Sequence, residues 1–208
     1  MVSAALAHRL ASVHGGALLV DLGGDQPDIL GVTAHTAPGV GDWLASGAQN
    51  ARALSQLEVS LERVSPVRLL TQGTKPLIPG AQVGVLAAIL ARQDRPVVVD
   101  CGGPLLNPLS PAGEVALVMA GGATRSLLVL RPCLVSLRRA LSAPLRPSAL
   151  VVVTEEGRGL RAADVPEVLG VPLAAEVPVD PAVVRMVDAG LLLARLPRTL
   201  ERGLRHAA

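Results

Sequence analysis

Four short apolar runs, uninterrupted by polar residues except at their ends, constrain this chain most: ALLVDL at 17–22, VVVDC at 97–101, LLVL at 127–130 and LVVVT at 150–154. A strand that alternates apolar with polar residues has one face in water, whereas a continuous apolar run is buried on both faces, as in a parallel sheet covered by helices. Parallel neighbours need a crossover, and the segments between these runs have the length and spacing of helices. The first helix is expected at 2–13, where Ala5, Leu6, Leu10 and Val13 share a face, and His14-Gly15-Gly16 ends it because glycine readily takes the left-handed conformation. Strands are expected at 17–22, 67–71, 97–101, 126–131, 150–154 and 173–176, and further helices at 81–92, 112–120, 135–141, 162–169 and 181–190. Residues 191–206 close the fold as a helix broken near Pro197. The fold class is therefore α/β: one domain over 1–208 with a doubly wound, mainly parallel sheet flanked by helices on both faces.

Composition narrows the function. Half of the 208 residues are hydrophobic and 17% are charged, enough for one sizeable core. Phe and Tyr are absent and Trp43 stands alone, so no aromatic platform exists for stacking nucleic-acid bases. Lys75 is the sole lysine among 19 basic residues, an arginine bias that reads as the imprint of a GC-rich genome. A net charge of +2 does not by itself imply a polyanionic partner, although Arg185, Arg195, Arg198, Arg202 and Arg205 make the C-terminal end basic. Cys101 and Cys133 lie far apart with no CxxC or His/Cys cluster, which indicates reduced thiols rather than a disulfide framework or zinc site. His8 and Arg9 interrupt the N-terminal apolar stretch, and 83–91 is too short to span a bilayer. These features together predict a cytoplasmic protein.

Asp100 is the leading chemical candidate. VVVDCGG puts a carboxylate at the carboxyl end of a buried strand, the edge where doubly wound sheets bind ligands. Such a carboxylate suits the water shell of a magnesium ion, and Gly102 and Gly103 allow backbone amides to approach a phosphate. The alternative is an aspartate that simply ends a strand and starts a turn. Asp21 repeats the geometry in LLVDLGGD, while Asp25 and Asp28 read better as turn residues. Trp43 is either a partner anchor or a core residue packed on its own helix. His8, His14, His35 and His206 are scattered, with no nucleophile or ligand at useful spacing.

In order along the chain, SAALAHRLA, LLVDLGGDQPDILGV, PGVGDWLASG, VVVDCGGPL, SLLVLRP and LGVPLAAEVPVDPAVVRMVDAG resemble the MinD/ParA/CpaE group of deviant-Walker P-loop ATPases. The resemblance covers essentially the whole chain: a helix after the P-loop, a DxD and switch I region, a switch II motif, and a closing segment whose Val-Pro-x-Asp lies near the adenine. It implies a SIMIBI-type NTPase fold, with Asp21 and Asp100 as catalytic residues, Asp100 as the magnesium-side ligand, and Asp100, Gly102, Gly103, Pro178 and Asp180 as the cofactor-binding set.

The departures are equally specific. The family's first strand and its GKGGxGKT-like loop would precede Val2, and no such loop occurs in these 208 residues, so the fold is expected in an N-terminally truncated form. The second DxD aspartate falls on Gly23, and the adenine-reading asparagine falls on Thr154, followed by Glu155 and Glu156. Without a lysine and an amide cradle, phosphoryl transfer loses most of its charge stabilisation, so the chain as written is expected to need no cofactor and to be inactive. ATP and Mg2+ become the cofactors if a P-loop is supplied upstream of Met1. In the resembling fold the absent strand lies between 97–101 and 126–131, so these two either pair directly, accept a strand from another chain, or await an upstream segment.

The resemblance further implies a role in spatial positioning or assembly, of pili, secretion systems, the septum or partitioned chromosomes, through protein partners and an ATP-sandwiched homodimer. A functional ATPase completed upstream and an unrelated doubly wound binding module are the alternatives. The basic, leucine-striped C-terminal helix either docks on the core or contacts membrane or DNA, which would place the protein peripherally at a membrane.

Overall fold

The computed structural model describes residues 1–34, 36–61, 65–102 and 107–207. Gly103 and His35 therefore lie outside the described residues. In chain order the elements are α1 (Val2–His14), β1 (Ala17–Asp21), α2 (Gln26–Leu30), α3 (Val40–Leu44), α4 (Ala51–Ser55), β2 (Val59–Ser60), β3 (Val67–Leu70), α5 (Ala81–Ala91) and β4 (Val97–Asp100). They continue as α6 (Pro111–Gly121), β5 (Leu127–Leu130), α7 (Leu134–Leu141), β6 (Ala149–Thr154), α8 (Asp164–Leu169), β7 (Leu173–Pro178), α9 (Pro181–Asp188) and α10 (Arg198–Gly203). The expected strands and the expected helices up to 181–190 are present within a few residues, but the closing helix expected over 191–206 is reduced to Arg198–Gly203, with turns before Pro197 in place of its first half. The additions are α2, α3, α4 and β2, each too short to carry a hydrophobic period.

Among the described residues the strands form two sheets, in the orders β2-β3-β1-β4 and β5-β6-β7. All pairings are parallel except the short antiparallel β2–β3. The break falls between β4 and β5, and the direct pairing of these two strands, one of three options open from the sequence, does not occur. Exposure follows from it. All five residues of β1, paired on both sides, are buried, whereas none of the four in β4 is, and Val129 of β5 is 43% exposed.

Side chains alternate across the sheets and sort the core into layers. On one face, Leu19, Val67 and Leu69 of the first sheet share a single cluster with Val151, Ala175 and Val177 of the second. Helix α1 supplies Ala4, Ala5, Leu6, Ala7 and Ala11 to this cluster, and α10 supplies Leu200. On the other face the core is divided. Leu18, Val20 and Leu70 pack with Trp43, Leu86 and Val115, while Leu150 and Val152 pack with Leu137 and Val165. The gap between β4 and β5 thus separates two cores on one face and is bridged by α1 on the other.

The two halves meet again where α2 and α9 end. Gly31 and Gly190 are both left-handed, at φ 65° and 66°, and a Cβ on Gly31 would lie 2.3 Å from the Gly190 Cα. Only a pair of glycines permits this approach. Arg125 adds a tie by donating from Nη1 to the Ala207 carbonyl at 3.0 Å. Trp43 is 1% exposed and its Nε1 donates to the Asn50 carbonyl at 3.3 Å, so the core reading holds and the partner-anchor reading does not. Leu200 and Leu204 are buried, so the leucine stripe of the C-terminal segment docks on the core, with Arg195, Arg198, Arg202 and Arg205 left at the surface. Among the described residues no helix is long and apolar enough to cross a membrane.

Candidate functional site

Strand β1 ends in Asp21 and its neighbour β4 ends in Asp100, and the two are register partners across the pair. The apolar strand sequences thereby deliver two carboxylates side by side to the carboxyl edge of the first sheet. Asp21 is 1% exposed. Its Oδ1 accepts the amides of Gly23 at 3.0 Å and Gly24 at 2.8 Å, and its Oδ2 accepts the Gln26 amide at 3.1 Å. Burial pushes its carboxyl above the ordinary carboxylate value; the three amide bonds oppose that shift, and the negative neighbour Asp100 adds to it.

Asp100 is held from three directions. Its Oδ1 accepts the Gly102 amide at 2.9 Å, and its Oδ2 accepts both Gln26 Nε2 at 2.5 Å and the Ser3 hydroxyl. Gly102 makes the turn at φ 42°, and a Cβ there would sit 3.2 Å from the Gly23 Cα, so the turns after the two strands pack against each other. The start of α1 faces the same edge. The Met1 amine is buried there, which lowers its pKa, while Asp100, Asp25 and Asp21 work in the opposite direction.

Ser3 and Gln26 were not singled out from the sequence. A serine in the first turn of a helix and a glutamine inside DQPD look like ordinary capping and turn residues, and only the approach of α1 and α2 to β4 gives them a common partner. Beside Asp21 lies a polar cavity of about 100 Å³ whose lining includes Pro27, Thr71 and Gln72. The Thr71 hydroxyl and the Gln26 Oε1 are buried without a protein partner. A polar space of this size, lined by the orphaned Thr71 hydroxyl, is suited to ordered water.

The other sequence-predicted residues sit elsewhere. Pro178 ends β7 opposite Thr154, with β5 and β6 between it and the gap. Asp180 caps α9, its Oδ1 accepting the Ala182 amide at 2.7 Å and its Oδ2 the Thr199 hydroxyl. The Thr199 bond, followed by the Ala182 amide, lowers its pKa. The structure thus brings Asp21, Asp100 and Gly102 together and leaves Pro178 at the end of β7 and Asp180 at the start of α9.

Lys75 is exposed in the loop after β3, which Asp42 of α3 clasps through the Thr74 amide at 2.8 Å and hydroxyl at 2.7 Å. Cys101 is desolvated beside Asp100, and its thiol is pushed up to about 11. Cys133 caps α7, where bonds from Ser136 lower its pKa.

Magnesium prefers carboxylate oxygens that are free to order its waters. Both oxygens of Asp100 already accept hydrogen bonds, and no group of three or more His, Cys, Asp or Glu suited to a metal occurs among the described residues. Ser3 and Gln26 occupy Oδ2, whereas Oδ1 accepts the Gly102 amide and has a second lone pair with which Asp100 would hold a magnesium-bound water. The hydrogen-bond donors to the two carboxylates are amides and a hydroxyl, and the Met1 amine is the positive group that faces them.

No family model matches the chain, and no curated protein matches it by sequence. Solved structures do. A ParA family ATPase from Chlorobium tepidum aligns with a TM-score of 0.73 at 19% identity, over 97% of this chain and 90% of that one. The MinD cell division protein of Aquifex aeolicus aligns with a TM-score of 0.70 at 19% identity, over 98% and 90%. The MinC:MinD cell division complex of the same organism gives 0.68 at 18% identity, over 91% and 79%. The fold is that of the MinD and ParA ATPases, as the order of motifs implied.

Proposed function

We propose that this chain is a positioning or assembly factor of the MinD/ParA kind that works through protein contacts rather than nucleotide turnover. The observation that carries this reading is the state of the carboxyl edge: two register-paired aspartates answered by amides and a hydroxyl, with no lysine-bearing glycine loop in the 208 residues to balance a triphosphate. Its partners are proteins of a pilus, secretion, septum or partitioning machinery, met in the cytoplasm or at the membrane surface, with homodimerisation as the accompanying assembly. The MinC:MinD complex supports protein partnership for a fold of this shape.

The test is a fluorescent fusion of residues 1–208 imaged beside its Asp100→Asn variant. The expected result is the same non-uniform localisation for both, because contacts and not chemistry set it. A diffuse signal, or a pattern abolished by Asp100→Asn in a folded protein, overturns the reading.

A second reading is favoured by the gap between β4 and β5. A strand and a glycine-rich lysine loop encoded in frame upstream of Met1 would occupy that gap and deliver the loop to the start of α1, giving an ATP-binding and ATP-hydrolysing enzyme with Mg2+. The genomic sequence upstream of Met1 decides it: an in-frame strand and loop support this reading, and their absence there rejects it.

A further inference from the structure

A second cavity lies away from the aspartates, at the amino edge of the first sheet. It measures about 380 Å³ and is lined by Gly15, Gly16, Ala17, Pro66, Arg68 and Arg95. Strand β1 lies between β3 and β4, so Arg68 on β3 and Arg95, just before β4, reach over the start of β1 from both sides. They meet at Glu58, whose side chain is 4% exposed. Glu58 Oε2 accepts Arg68 Nε at 2.6 Å and its Oε1 accepts Arg95 Nη2 at 2.5 Å, while the Glu58 carbonyl accepts Arg68 Nη2 at 3.1 Å.

Two guanidiniums thus share one carboxylate, which leaves one positive charge in excess and both Nη1 groups outside these bonds. The floor between them is bare. A Cβ on Gly15 would meet nothing within 4 Å, and one on Gly16 would meet only the Pro66 carbonyl at 3.7 Å.

We propose that this cleft is a binding site for a small oxyanion, gripped by the free edges of the Arg68 and Arg95 guanidiniums over the Gly15-Gly16 floor. Guanidinium forks match the oxygens of phosphate and carboxylate alike, and three-quarters of the Arg95 side chain is already withdrawn from water by Glu58 and the sheet edge, which limits screening. The buried glutamate does two things here. It orients both arginines before any ligand arrives, and it lowers the net charge so that the bare cleft is tolerated. The site is independent of the nucleotide question, because it lies at the opposite end of the strands from Asp21 and Asp100.

The test is a titration with inorganic phosphate at constant ionic strength, followed by the amide resonances of Gly15, Gly16 and Ala17, with acetate as the planar comparison. The wild type is expected to show saturable shifts at these three amides, stronger for phosphate than for acetate. Glu58→Gln raises the local charge by one and is expected to tighten phosphate binding by about tenfold; Arg95→Gln removes the excess charge and is expected to weaken it by about as much. Gly16→Leu fills the cleft, leaves the ion cluster intact and is expected to abolish the shifts, which keeps the proposal testable if Arg95→Gln fails to fold. Absent or non-saturating shifts in the wild type, or one affinity shared by wild type, Glu58→Gln and Gly16→Leu, overturn it.

Discussion

Asp21 combines near-complete burial with three amide donors, so its ionised form is held by hydrogen bonds but disfavoured by desolvation and by Asp100. The net effect raises its folded-state pKa above the ordinary 3.8, which means that the native state binds a proton more readily than the unfolded chain. The stabilisation this provides is complete below pH 3.8 and is lost as pH climbs through the raised folded value. Asp21→Asn removes that titration and keeps an oxygen for the Gly23 and Gly24 amides, while losing the acceptor for the Gln26 amide at every pH. Urea unfolding of wild type and variant at pH 4 and pH 7 should therefore show the variant gaining on the wild type at the higher pH. The opposite trend would mean that hydrogen bonding, not burial, dominates at this residue. Asp21 and Asp100 were legible in the sequence because each ends an apolar run before a glycine turn. Ser3 and Gln26 were not, because a partner 97 or 74 residues away leaves no local signature.

At the scale of elements, long periodic segments and apolar runs were readable, and the region between β1 and β3 was not. Residues 26–30, 40–44 and 51–55 form single helical turns set by Pro27, Gly39 and Asn50 rather than by periodicity. The contact that matters most there is Gly31 against Gly190, which the sequence does not announce because each glycine reads as an ordinary helix stop. Gly31→Ala forces a Cβ into the partner backbone and strains a left-handed residue, and is expected to cost about 2–4 kcal/mol in urea unfolding. Gly47→Ala, where a Cβ meets nothing within 4 Å, is expected to stay within about 0.5 kcal/mol of wild type. Equal effects at the two sites would contradict the close approach of α2 and α9.

For the whole molecule, the order of motifs gave the architecture, and the same order located the break. Parallel strands buried on both faces need a neighbour on each side. Among the described residues Val97 to Asp100 and Leu127 to Leu130 each have one strand neighbour, and their partial exposure is the consequence. What joins the halves was beyond sequence reading, because α1 bridges them through alanines whose small side chains give little amphipathic signal. We propose that residues 1–208, with the fold of the MinD and ParA ATPases, do not hold a triphosphate, because no lysine-bearing glycine loop within them faces the paired aspartates. Titration calorimetry of this polypeptide with Mg2+-ATP tests it most directly. No binding tighter than about 1 mM is expected, and magnesium-dependent micromolar affinity would overturn the proposal.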